Sequence, residues 1–273
     1  MGKISKEARD RFLEKSKEHK REILVIKERE KKIKLILRKG EKEDSMKRLQ
    51  LASDNLVLIS YYVVLNSLSI TMLGVKNESY LNDARKCLYV AIIYLEESVT
   101  SYIDVPFSEY ADHLKAIETF EDEKRYNLVR KLGYSIQAVE DGFGANSKWK
   151  WSFVELLGRY ATVAKNLLDL KTMVRKLDPR VAGYQDRYNW LELVKRLLQK
   201  AADKYREKYE LSTQRIDDMK LAVSYLGALK RLYLNLNESQ NLEVIKKKID
   251  VWNTKMEADL KKQEEEKKKR GIV

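Results

Sequence analysis

Only two histidines, His19 and His113, and one cysteine, Cys87, occur in the 273 residues. Nucleophilic, acid–base or metal chemistry would be built from these first. Neither histidine has a second His or a Cys at ligand spacing, whereas a zinc site needs three or four N, S or O ligands. The same scarcity removes most Ser–His and Cys–His arrangements. Cys87 lies among Leu88, Val90 and Ala91, the setting of a buried, inert thiol. Gly142-Phe143-Gly144 has the outline of a phosphate loop but lacks a third glycine in register, a preceding strand and the Gly-Lys-Ser/Thr ending. It reads as a helix C-cap followed by a turn. Acidic pairs such as Glu96-Glu97 and Asp217-Asp218 are what solvated helix faces produce. The expectation is a protein with no catalytic site, no metal and no cofactor.

Interaction chemistry is better represented. Ser147-Lys148-Trp149-Lys150-Trp151 sets two indoles and two ammonium groups at a helix start, close to Phe143. Exposed aromatics in basic surroundings stack on bases, and protein interfaces favour Trp, Tyr and Arg. Against this, the two indoles can point in different directions, with at least one in the core. Among sixteen tyrosines, Tyr184 and Tyr188 belong to an aromatic-rich turn leading to Trp190 and form a second candidate patch. The candidate interaction residues are therefore Phe143, Lys148, Trp149, Lys150, Trp151, Tyr184 and Tyr188.

The elements that position them are helices. With two prolines, ten glycines and 36% charged residues, the chain shows no series of short alternating segments between turn signals. The fold class predicted is all-α: an elongated multi-helix bundle with long, charged N- and C-terminal helices. Residues 49–73 are the least charged long stretch and carry two apolar stripes at helical spacing, Ala52-Leu56-Ile59-Val63 and Leu51-Leu58-Leu65 among them. A helix apolar on two faces must be covered on two faces. Asp54, Asn55 and Asn66 argue against a membrane span, so this is the central post of the bundle.

Around it the chain is expected to form a single elongated domain over 1–273. Residues 1–40 form an N-terminal arm helix ended by Gly40, 44–236 the bundle, and 238–273 a C-terminal amphipathic helix with a frayed charged tail. Asp44 or Ser45 caps the central helix, Gly74 ends it, and Ser79 starts the next. Pro106 opens one long helix through Val139, bending near Gly133. Asn146 or Ser147 caps a helix running through Val174 to the Asp178-Pro179 break, and a further cap falls around residues 211–213. Leu242, Ile245, Ile249, Trp252, Met256 and Leu260 make a coiled-coil-like seam in the last helix. Each terminal helix hides too little apolar area to stand alone. The two are expected to lie against each other or to extend as an arm.

A net charge of +13 creates a positive field, although acids are interleaved with the bases throughout. The single cysteine suits a reducing compartment, or an exported protein that does without disulfides. No signal peptide or span is read, and Lys6 stands where a myristoylation motif wants Ser or Thr.

Three stretches, SYIDVPFSEY (101–110), EDGFGANSKWKW (140–151) and DPRVAGYQDRYNW (178–190), resemble the flagellar-coiling protein A family of the leptospiral spirochaete flagellar sheath. The likeness extends over most of the chain. It implies an all-helical, bent or V-shaped subunit of the periplasmic flagellum, needed for filament coiling and motility. Implied partners are the flagellar filament core proteins, a companion sheath protein and further copies in a lattice, with no small-molecule substrate. The competing reading from the residues is a cytoplasmic helical adaptor or nucleic-acid-binding module using its basic surface.

Overall fold

A computed structural model describes residues 4–37, 44–144 and 146–269, and among them every regular element is a helix. The order is α1 (Lys6–Ile36), α2 (Ser45–Leu73), α3 (Glu78–Ser98), α4 (Phe107–Ala116), α5 (Asp122–Phe143), α6 (Lys150–Asn166), α7 (Leu170–Arg175), α8 (Tyr184–Lys208), α9 (Ile216–Asn235) and α10 (Ser239–Lys269). Where one domain was expected, the contacts gather in two compact units. Residues up to Ser101 with Phe107–Leu168 make one, and Tyr102–Pro106 with the chain from Asp169 onward make the other.

In the first unit α2 is the post, packed by α3, α1 and α5. Leu51, Ala52, Leu58, Ile59 and Leu65 are at most 1% exposed, and burial of each leucine or isoleucine is worth about 2 kcal/mol. By length and composition α2 is the one described helix able to cross a membrane. Its polar residues, however, are used inside the fold. Asp54 accepts Nε of Arg29 at 2.8 Å, and Asn55 binds Glu30. Asn66 Oδ1 accepts the Asn77 amide at 2.9 Å. The first two hold α1 in register and the third closes the α2–α3 turn. Of the two stripes only Ile70, near the end of the first, is exposed, while Val57 and Val64, which belong to neither, also face outward.

Several local expectations hold. Gly74, at φ +66°, ends α2 by a left-handed cap in which its amide and that of Val75 bond Ile70 and Ser69. Asn77 caps α3 through Oδ1 on the Tyr80 amide. That places the helix start at Glu78, one residue before the predicted Ser79. Asp44 occupies the cap position of α2, but its side chain makes no capping bond. Gly40 lies outside the described residues.

Two predicted long helices are each broken. The segment from Pro106 to Val139 is interrupted between α4 and α5, where buried Arg125 folds back onto the carbonyls of Ile117 and Phe120. The guanidinium donors replace the amide donors that these carbonyls lose at the break. α5 is unbroken through Gly133, where glycine permits close approach, since a Cβ there would sit 2.5 Å from the Tyr160 hydroxyl. The segment from Trp149 to Val174 stops at Asn166, and Asp169 caps a new short helix by accepting the Thr172 amide and hydroxyl. Leucines at 167, 168 and 170 continue the apolar spacing through the break and hide it from pattern reading.

The second unit packs α8 on α9 and α9 on α10, around fully buried Trp190, Leu198, Met219, Ala222 and Leu226. The predicted cap near 211–213 is a π turn over Tyr209–Thr213. There the Thr213 hydroxyl donates to Asp218 and accepts the Arg215 amide. The α10 seam faces inward at Ile245, Ile249 and Trp252. The helix continues to Lys269, with Tyr209 bonded to Asp259 at 2.6 Å and Gln263 to the Gln214 carbonyl. Neither terminal helix is a bare arm, because Phe12, Ile23 and Ile26 of α1 are buried in their own unit as the α10 seam is in its own.

Candidate interaction site

The corner predicted from Phe143 to Trp151 forms where α5 ends and α6 begins. Gly144, at φ +86°, turns the chain out of α5. The Ser147 hydroxyl then accepts the Trp149 amide, and Trp149 itself holds the cap position of α6. The predicted caps at Asn146 and Ser147 are thus displaced by two or three residues. Phe143 is buried, its ring 6.3 Å from Trp149 and 6.1 Å from Phe153. Its carbonyl accepts Lys76 Nζ at 2.7 Å. Phe143 therefore serves as the floor of the corner.

Trp149 is half-buried. The Arg85 guanidinium stacks over its ring at 3.7 Å, Lys148 Nζ lies 5.4 Å from the ring centre, and Nε1 is buried with no hydrogen-bond partner among the described residues. Trp151 is also half-buried, with Lys150 Nζ 4.7 Å from its ring. Cation–π contacts of this kind fix ring orientation and hold positive charge at the surface. A hollow of about 520 Å³ opens between Lys76, Glu78, Gly144, Lys148 and Trp149. Arg85 and Lys76 are the residues that sequence reasoning missed. They lie more than sixty positions earlier in the chain, and no spacing rule joins them to the indoles.

Tyr184 and Tyr188 stand one turn apart at the start of α8 in the other unit, stacked at 5.9 Å. Gly183, at φ +77°, begins that turn. Arg187 secures it by donating to the carbonyls of Ala182 and Lys176. Tyr188 leads into a groove of about 730 Å³ along α8 whose base holds Lys195, Tyr233 and Glu238. Lys195 bonds both Glu192 and Glu238. Burial alone would raise the Glu238 carboxyl, but hydrogen bonds from Lys195 and Asn241 outweigh it and hold that group below its ordinary range. Among the described residues no three of His, Cys, Asp and Glu converge as a metal site.

The model of the TP0443 family matches residues 8–260, nearly the whole chain. The chain belongs to the TP0443 family. This is a spirochaete-associated family, in agreement with the broad direction of the resemblance seen in the sequence. No curated protein and no solved structure matches the chain. The family match spans both units of this TP0443-family chain, so the Phe143–Trp151 corner and the Tyr184–Tyr188 pair both fall within it.

Proposed function

We propose that this TP0443-family protein is a non-enzymatic structural subunit of the periplasmic flagellar filament sheath. In this reading it contributes to filament coiling and motility through contacts with filament core proteins and a companion sheath protein. The resemblance of residues 101–110, 140–151 and 178–190 supports the flagellar reading, and the spirochaete-associated family is consistent with it. The observation that carries the docking mode is Trp149, pinned beneath Arg85 and flanked by Lys148. An indole held in place loses little side-chain entropy on contact, which is what makes aromatic residues strong interface anchors. Weak contacts of this kind gain strength when repeated along a filament, and heterologous contacts that do not close extend it.

The decisive experiment purifies periplasmic flagella from the source organism and probes them for this polypeptide by mass spectrometry. The expected result is co-purification with the filament, and loss of filament curvature in cells lacking the gene. Recovery entirely in the soluble cytoplasmic fraction overturns the reading.

The basic excess favours a second reading, a nucleic-acid-binding module. Its affinity for nucleic acid would fall steeply with salt. Arg85 already lies over one indole and Lys150 near the other, which disfavours base stacking there. Filter binding over a salt series separates the two.

A further inference from the structure

Helix α1 buries one side, Phe12, Ser16, Ile23 and Ile26, in its own unit. On another side Leu13, Leu24 and Leu35 are 57%, 64% and 83% exposed. Each follows the last by eleven residues, which is three helical turns plus about 20°. The three leucines therefore stand almost in line, about 16 Å apart. Between and beside them the exposed residues include Arg9, Lys17, Arg21, Lys27 and Lys31, against Asp10 and Glu28. Lys17 and Lys31 make no ion pair among the described residues.

We propose that this face of α1 is a docking surface for an acidic, rod-like helical protein. The inference rests on the reading that the molecule works by docking, but not on the flagellum as the place. Charge sets the sign of the partner. A second copy of the same face would bring two basic strips together, and like charges in register oppose association. Spacing sets its shape. An eleven-residue repeat nearly matches the helix period, so a line of contacts stays in register along a second helix over the full length of α1. A membrane surface fits less well, because helices that lie in the lipid interface present a broad continuous apolar face. Here Lys17, Glu28 and Lys31 interrupt the leucines. Three separated anchors within a basic strip suit a wet protein interface, with steering by charge and a few anchoring side chains.

The test uses the full chain and a labelled helical peptide carrying leucine at every eleventh position between glutamates, read by fluorescence anisotropy. A scrambled peptide of the same composition and anionic phosphatidylglycerol vesicles run alongside. Leu24→Ser and the double change Lys17→Glu, Lys31→Glu alter only exposed side chains, and circular dichroism checks that each variant is folded. The expected result is binding of the ordered peptide that weakens about tenfold in either variant and declines as salt is raised. Equal binding of the scrambled peptide, indifference to both variants, or adsorption to vesicles without peptide binding overturns the proposal. A protein absent from flagella that still binds the ordered peptide sinks only the sheath reading. One present on flagella that ignores the peptide sinks only the docking face.

Discussion

Cys87 lies on α3 within reach of the charges of Lys27, Glu30 and Lys34 on α1. Burial pushes its thiol up to about 12, and the nearby lysines only partly offset this. Only the thiolate reacts, so at pH 8 the folded protein should be modified by a disulfide reagent about a thousandfold more slowly than the unfolded chain. Comparable rates in the absence and presence of denaturant would show that the thiol is not shielded as described. Glu238 supplies the opposite sign. Its carboxyl is held below the ordinary range, so its contribution to stability is complete above the unfolded value and disappears as pH falls through the folded one. Denaturant unfolding of wild type and Glu238→Gln should therefore differ at pH 7 and converge in acid, once the pH falls below the lowered value of the folded carboxyl. A gap that widens in acid would contradict the assignment to Lys195 and Asn241.

At the level of elements, two helical glycines make a controlled pair. Gly133 in α5 faces the buried Tyr160 ring, where a Cβ would lie 2.5 Å from the hydroxyl and 2.9 Å from the ring carbon that bears it. Gly227 in α9 has open space at the same position. Alanine gains about 1 kcal/mol of helix propensity over glycine, so Gly227→Ala should raise stability by up to that amount. Gly133→Ala should lower stability by about 1–2 kcal/mol, because overpacking outweighs the propensity gain. Chemical denaturation of both variants checks the difference in sign. These two positions also show how much the sequence reveals. Apolar spacing identified the post, the α10 seam and the inward faces of α3 and α8, because burial repeats with the helix period. It predicted a bend at Gly133, where the reason for glycine is a neighbouring helix remote in sequence. The breaks at 117–121 and 167–169 were invisible for a related cause. Each is stabilised by a polar side chain, Arg125 or Asp169, while the hydrophobic pattern runs on uninterrupted. The aromatic corner was legible in part: Phe143, Lys148 and Trp149 come together, but their partners Lys76 and Arg85 come from another part of the chain.

For the whole molecule, the net charge of +13 governs how copies meet. Charges on separate chains are felt over about 30 Å at 0.01 M salt and about 8 Å at physiological strength. Purified protein at low salt should therefore repel itself and sediment as one chain. Adding salt should permit association, since screening removes the repulsion while burial of exposed residues such as Leu24 and Val251 is little affected. Sedimentation velocity across a salt series gives the answer through the sign of the change. Complexes that form at low salt and dissolve at high salt would mean that the interleaved acids on one copy pair with the bases of the next, so the chain could build a lattice unaided. The expected opposite trend means that copies stand side by side only where their charge is screened or countered, and an acidic partner supplies that condition without added salt.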